Sequence, residues 1–156
     1  MKILNTIFLT VVFAIALNTH IASRSRGTDL YKQDNVKKTD VISSEKNKQL
    51  ILWTSGDREV ALKMVFMYAL NCRKFSWMDD VRLLIWGPSA KLLSEDSELQ
   101  QYLNELKKAG IELYACKGCA DMYGVSNKLS ELGVTVTYTG EMLANLQKEG
   151  WYILSI

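Results

Sequence analysis

Gly110-Ile111-Glu112-Leu113-Tyr114-Ala115-Cys116-Lys117-Gly118-Cys119 is the stretch on which the reading of the fold turns. It opens on a glycine, the residue that best adopts the positive φ at a helix C-terminus. It then runs apolar from Ile111 to Ala115, the length of one strand, and ends in a cysteine turn. Leu99, Leu103 and Leu106 lie just upstream at the spacing of one helical face. The chain therefore reads helix, glycine stop, strand, turn. The same order follows twice more. Val125, Leu129 and Leu132 mark a helix, Gly133 stops it, and Val134 to Tyr138 is the next strand. Met142, Leu143 and Leu146 mark another, Gly150 stops it, and Trp151 to Ile156 is the last strand.

Upstream the pattern starts in the same way. Leu50-Ile51-Leu52-Trp53 is apolar without alternation, which suits a strand buried on both faces. It ends at Ser55-Gly56-Asp57. Ala61, Met64, Val65, Tyr68 and Cys72 then predict a helix near 58–75. Val81 to Trp86 is a second strand, closed by Gly87-Pro88, with Pro88 suited to a first helical turn. Five strands alternating with helices predict an α/β fold. It is a three-layer, doubly wound, mostly parallel five-stranded sheet with helices on both faces.

The chain has 156 residues, room for one domain with a core. It is 48% hydrophobic and 23% charged, the composition of a globular protein. One proline and nine glycines exclude a fibrous chain, and a net charge of +2 gives no basic face for nucleic acid. The first 22 residues differ. Lys2 precedes an apolar run from Ile3 to Leu17, with small residues Ala14, Ala16, Ala22 and Ser23 beyond or within it. This is the layout of a secretory signal peptide, too short for a comfortable membrane span. The expectation is a periplasmic or secreted protein, attached to a membrane only if the leader stays uncleaved. Residues 23–48 read as a polar, lysine-rich linker, and 49–156 as the folded domain.

In an open parallel sheet, ligands bind beyond the carboxyl ends of the strands. The turns there are Ser55-Gly56-Asp57-Arg58, Trp86-Gly87-Pro88-Ser89, Cys116-Lys117-Gly118-Cys119 and Thr139-Gly140-Glu141. Cys116 follows its strand directly with a helix expected a few residues later, so backbone N–H groups and Lys117 favour its thiolate, the reactive form. Cys116, Cys119 and Lys117 are the candidate catalytic residues. The same spacing also admits a disulfide, or two small residues in a turn. Ser55, Gly56 and Asp57 with Arg58, and Gly87 with Pro88, are candidate binding residues for an anion; the alternative for Ser55 and Asp57 is helix capping. Cys72 lies on an apolar helical face and reads as core, and Trp53, Trp86 and Trp151 read as packing. His20, the lone histidine, falls in the leader, which excludes a histidine triad or a histidine-ligated metal in the domain. No metal or cofactor is called for.

The stretch from Gln49 to Ile156 resembles the DsrE/DsrF-like family of sulfur-relay proteins. The resemblance rests on the strand entering Ser55-Gly56-Asp57, on Trp86-Gly87-Pro88-Ser89-Ala90 with Leu92-Leu93, and on Ile111 to Cys116 followed by Cys119-Ala120-Asp121 and Tyr123-Gly124-Val125. It is completed by Val134 to Tyr138, Thr139-Gly140-Glu141 and Gly150-Trp151. It implies a small doubly wound domain that assembles as a trimer, hexamer or hetero-oligomer. It also implies a sulfur-carrying cysteine at the end of the third strand, a position that Cys116 with Gly124 matches, and a further cysteine, Cys119, found in one subgroup. The expected function is thus a sulfurtransferase-like protein or sulfur carrier holding a persulfide on Cys116, with a donor or acceptor protein as partner. Two other functions remain open: a thiol/disulfide protein using Cys116 and Cys119, and a non-catalytic oligomeric binding module.

Overall fold

The computed structural model describes residues 46–156. The leader and all but the end of the linker lie outside the described residues. The first strand begins at Lys48, slightly before the apolar run that announces it.

The five strands are β1 (Lys48–Trp53), β2 (Asp80–Ile85), β3 (Glu112–Cys116), β4 (Thr135–Thr137) and β5 (Tyr152–Ser155). They form one sheet in the order β4-β3-β2-β1-β5, and every pairing is parallel. The chain thus steps outward from β1 to β4, then returns across the sheet to lay β5 against the free side of β1. Right-handed crossovers require the outward and returning connections to lie on opposite faces. The packing agrees. Ile51, Trp53, Leu83, Ile85, Leu113 and Ala115 face the helices of the outward connections. The alternate residues Leu50 and Leu84 face Leu146 of the returning helix, together with Trp151.

The outward connections are α1 (Arg58–Val60), running through a π-helical stretch (Ala61–Phe66) into α2 (Met67–Lys74); α3 (Pro88–Glu95) and α4 (Ser97–Lys108); and α5 (Lys117–Tyr123) and α6 (Ser126–Glu131). The return is α7 (Thr139–Lys148). The expected doubly wound α/β architecture is therefore present, with unequal layers: α7 alone covers one face among the described residues.

The helix expected over 58–75 departs from a plain α-helix in its middle. A π turn holds more residues than an α turn, so the buried face drifts. Phe66 enters the core and stacks edge-on against Trp53, with ring centroids 5.3 Å apart. Met64, expected on the inner face, is 53% exposed instead. Cys72 is fully buried, as its place on the apolar face predicts, and burial pushes its thiol up from the ordinary range. Trp151 is buried beside α7, with the Arg82 guanidinium 4.5 Å from its ring centroid. None of the described helices is long and apolar enough to cross a membrane.

Candidate active site

Cys116 is both the last residue of β3 and the N-cap of α5, with extended backbone (φ −67°, ψ 112°). The sequence predicts a loop here with a helix some residues later. Instead α5 starts at Lys117, so Cys116 and Cys119 share its first turn. Gly118 lies against open space and does not interrupt the turn. Gly124 ends α5 with φ +69°, a left-handed conformation that glycine adopts freely. The helix marked by Leu129 is the separate α6.

This turn occupies the switch point of the sheet. The connections leaving β1, β2 and β3 go to one face, whereas the one leaving β4 goes to the other. At that divergence α5 and α7 leave neighbouring strands for opposite faces, the position where ligands usually bind in such sheets. Cys116 pairs in register with Thr137 of β4, and Thr139 opens α7 two residues on.

As a neutral thiol, Cys116 makes no capping hydrogen bond. As a thiolate it is well supplied with donors. Partial burial pushes its pKa up. The amide of Cys119, the hydroxyl of Thr139, the thiol of Cys119 and the amide of Gly118 outweigh this and hold it below the ordinary cysteine range. The Thr139 side chain is fully buried and its hydroxyl makes no hydrogen bond of ordinary geometry; the Cys116 sulfur is the acceptor whose charged form it favours. Cys119 moves the other way. Burial and the hydrogen bond to Cys116 push its thiol up, against a lowering contact from the Gly87 amide. Both cysteines are partly exposed and unbridged. Cys116 is therefore the member of the pair that ionises first, and Cys119 is the one that keeps its proton and donates.

Gly87 and Pro88, which the sequence nominates for binding, do adjoin the cysteine turn. Gly87 takes φ +70° and its N–H is directed at Cys119. Ser89, fully buried, donates to the Trp53 carbonyl at 2.7 Å and accepts from the Trp86 amide at 3.0 Å, locking this turn to the end of β1. Gly56 completes the contact: a Cβ there would meet the Pro88 Cβ at 3.2 Å, so the two turns pack without a side chain between them. Ser55 and Asp57 have other work. The Ser55 hydroxyl accepts from the Asp57 amide at 3.1 Å, and the Asp57 carboxylate caps α1 by accepting from the Val60 amide at 3.0 Å. Arg58 is drawn away to Asp96 at 2.8 Å and to Glu98. The capping alternative thus describes this turn better than an anion cradle.

Lys117 also lies differently from its expected place. Its ammonium pairs with Asp121, one turn along α5, and sits 5.7 Å from the Tyr138 ring centroid. The contacts that favour the Cys116 thiolate come from Thr139, Cys119 and Gly118 instead. Asp121 in turn accepts from Ser126 at 2.6 Å, so Lys117 belongs to a chain of contacts joining α5 to α6. Thr139 is the residue that sequence reasoning missed. An apolar hollow of about 330 Å³ lies elsewhere, between Met64, Met67, Trp77 and Leu154. Among the described residues, no cluster of three or more His, Cys, Asp and Glu side chains is placed to hold a metal ion.

The sequence model of the DsrE/DsrF-like family matches residues 47–156. No functionally curated protein matches the chain. Among solved structures, the conserved protein of unknown function BT1422 from Bacteroides thetaiotaomicron is 35% identical with a TM-score of 0.69; the match covers 75% of this chain and 100% of that one. The YchN protein from E. coli is 18% identical with a TM-score of 0.55, over 70% of this chain and 99% of its own. MTH1491 from Methanobacterium thermoautotrophicum, of unknown function, is 23% identical with a TM-score of 0.53, over 70% of this chain and all of its own. The last two likenesses speak to the fold alone.

Proposed function

The chain belongs to the DsrE/DsrF-like family, a family associated with sulfur relay, and from that premise we propose that it is a sulfur carrier or sulfurtransferase holding sulfane sulfur as a persulfide on Cys116. The observation that carries this reading is the set of donors around one sulfur. The Thr139 hydroxyl, two backbone amides and the Cys119 thiol all favour a Cys116 thiolate at an accessible strand end.

The thiolate is the nucleophile in sulfur transfer. It attacks the outer sulfur of a donor persulfide. A bond forms between Cys116 and that sulfur, the donor's S–S bond breaks, and the donor leaves as its own thiolate. Release to an acceptor thiolate is the same exchange in reverse, with Cys116 as leaving group. A low-pKa thiol leaves faster, so the donors that prepare the nucleophile also ease its departure. Neither step consumes an oxidant or a reductant. Met122 and Tyr123 at the end of α5 and Tyr138 just before α7 are exposed and offer apolar surface on the two elements that meet at the thiol for a partner bringing or taking the sulfur.

The test uses the Cys119→Ser chain, so that the neighbouring thiol cannot consume the product. Reduced protein is treated with glutathione persulfide and its intact mass and peptides are measured. The expected result is a gain of one sulfur atom on Cys116. An unmodified Cys116, or the same gain in a chain that also carries Cys116→Ser, removes the proposal.

A further inference from the structure

Cys119 is not needed for the transfer just described. A serine or an amide would serve to donate to Cys116. Yet a second free thiol stands three residues on, in the first helical turn that Cys116 itself caps, partly exposed like the first and with the Gly87 amide favouring its ionised form. We propose that Cys119 resolves the Cys116 persulfide, closing a Cys116–Cys119 disulfide and expelling the carried sulfur as hydrosulfide. This rests on the persulfide reading above and adds a fate for the sulfur: release as a small anion rather than transfer to a second protein.

The step balances as a thiol–disulfide exchange. The Cys119 sulfur attacks the inner sulfur of the persulfide, which is the Cys116 atom in the same helical turn. The Cys116–Cys119 bond forms and the bond to the outer sulfur breaks. The outer sulfur leaves with the bonding pair and takes the proton that Cys119 gives up. The Cys119 sulfur is oxidised and the departing sulfur is reduced by the same amount, so release needs no outside oxidant. Restoring the two thiols afterwards requires a dithiol reductant.

The geometry also supplies an order of events. In the empty site Cys119 donates to the Cys116 thiolate, and that hydrogen bond together with the nearby negative charge holds its proton in place. Sulfur loading converts the Cys116 atom to a neutral inner sulfur and moves the charge one bond outward. Both influences then weaken, whereas the lowering contact from the Gly87 amide stays. Loading thereby arms the resolving thiol, and an unloaded site cannot close on itself without an oxidant.

The full-length protein is reduced, freed of small thiols, and given one equivalent of glutathione persulfide. Hydrosulfide is trapped with a bimane reagent while intact mass is followed. The wild-type chain is expected to release about one equivalent of hydrosulfide and to end two hydrogens lighter, recovering its mass on addition of a dithiol. The Cys119→Ser chain is expected to keep the added sulfur and to release it at least about tenfold more slowly; Cys119→Ala is run beside it, so that poor folding of one variant does not decide the matter. A wild-type chain that keeps its sulfur as long as the variants overturns resolution and leaves the persulfide reading intact. So does release that leaves a glutathione mixed disulfide in place of the internal one. If neither variant takes up sulfur at Cys116, the persulfide reading fails and this inference falls with it.

Discussion

Replacing Thr139 by valine isolates the least expected contact of the site. Valine nearly matches threonine in shape, so the fully buried position stays filled. What is lost is one hydroxyl donor to the Cys116 thiolate. A hydrogen bond to a charged partner is worth about 1.5–3 kcal/mol. The lower end applies here, because sulfur is a diffuse acceptor and the donors from Cys119 and Gly118 remain. About 1.4 kcal/mol is a tenfold change in an ionisation equilibrium. Thr139→Val should therefore move Cys116 about tenfold toward the neutral thiol. The pH profile of iodoacetamide alkylation, read on the Cys116 peptide, should shift to higher pH.

Stability gives a second readout with a definite sign. The Cys116 pKa is depressed in the folded state. Its contribution is therefore fully present above the unfolded value of about 8.5 and is lost as pH falls through the folded one. Below both, the Thr139 hydroxyl has only a neutral thiol to face and no nitrogen or oxygen partner. There Thr139→Val should match or exceed the wild type by up to about 1 kcal/mol, because it removes a poorly satisfied buried group. As pH rises, the wild type should gain stability that the variant does not. Urea unfolding across pH measures both limbs. An alkylation profile that stays in place, or stability curves that run parallel, would refute the assignment of Thr139 to the thiolate.

Ser89→Ala removes the hydroxyl that joins the Gly87 turn to β1, while the Trp86 amide keeps its direct bond to the Trp53 carbonyl at 2.9 Å; the expected loss is about 0.5–1.5 kcal/mol in urea unfolding, and an unchanged midpoint contradicts it. Gly87→Ala meets no steric obstacle, yet forces a side chain into φ +70°. With ψ −134° this conformation suits glycine far better than alanine, so the change should cost about 1–3 kcal/mol of stability, and by moving the N–H aimed at Cys119 it should slow hydrosulfide release more than sulfur loading. Equal slowing of both steps would show that the amide has no particular role at Cys119.

The architecture was legible because its signals are local. Gly110, Gly133 and Gly150 mark where helices stop, and each takes positive φ. The apolar runs after them are the strands, with ends displaced by a residue or so. The position of Cys116 at a strand end follows from the same punctuation. Lys117 shows where adjacency misleads. It neighbours Cys116 in sequence, but helical spacing sends its side chain toward Asp121, four residues on, a partner that helix geometry names once α5 is recognised. That helix was hidden because Gly118 lowers its propensity and its apolar face is short. Ser55 and Asp57 were legible in type, since a cap and an anion cradle use the same residues. What decides between them is Arg58, and its partners Asp96 and Glu98 come from a different β-α unit.

Thr139 could not be read locally, because its contact with Cys116 depends on which face α7 takes. Along β3 the side chains alternate. Leu113 and Ala115 point into the layer of six outward helices, whereas Tyr114 points to the face covered by α7 alone. Alternation sets Cys116 on the face of Tyr114. Had α7 packed on the same side as α5, its first residue would have approached Ala115 and left the sulfur without a hydroxyl. The return of the chain to β5 dictates otherwise, since a right-handed crossover from β4 back to the far side of β1 must pass over the other face. One sulfur atom thereby lies between the first turn of α5, which belongs to one layer, and the first residue of α7, which belongs to the other. The reactivity of Cys116 is in this sense a consequence of strand order. A sheet that ended at β4 would keep the cysteine pair and lose the donor that α7 brings to it.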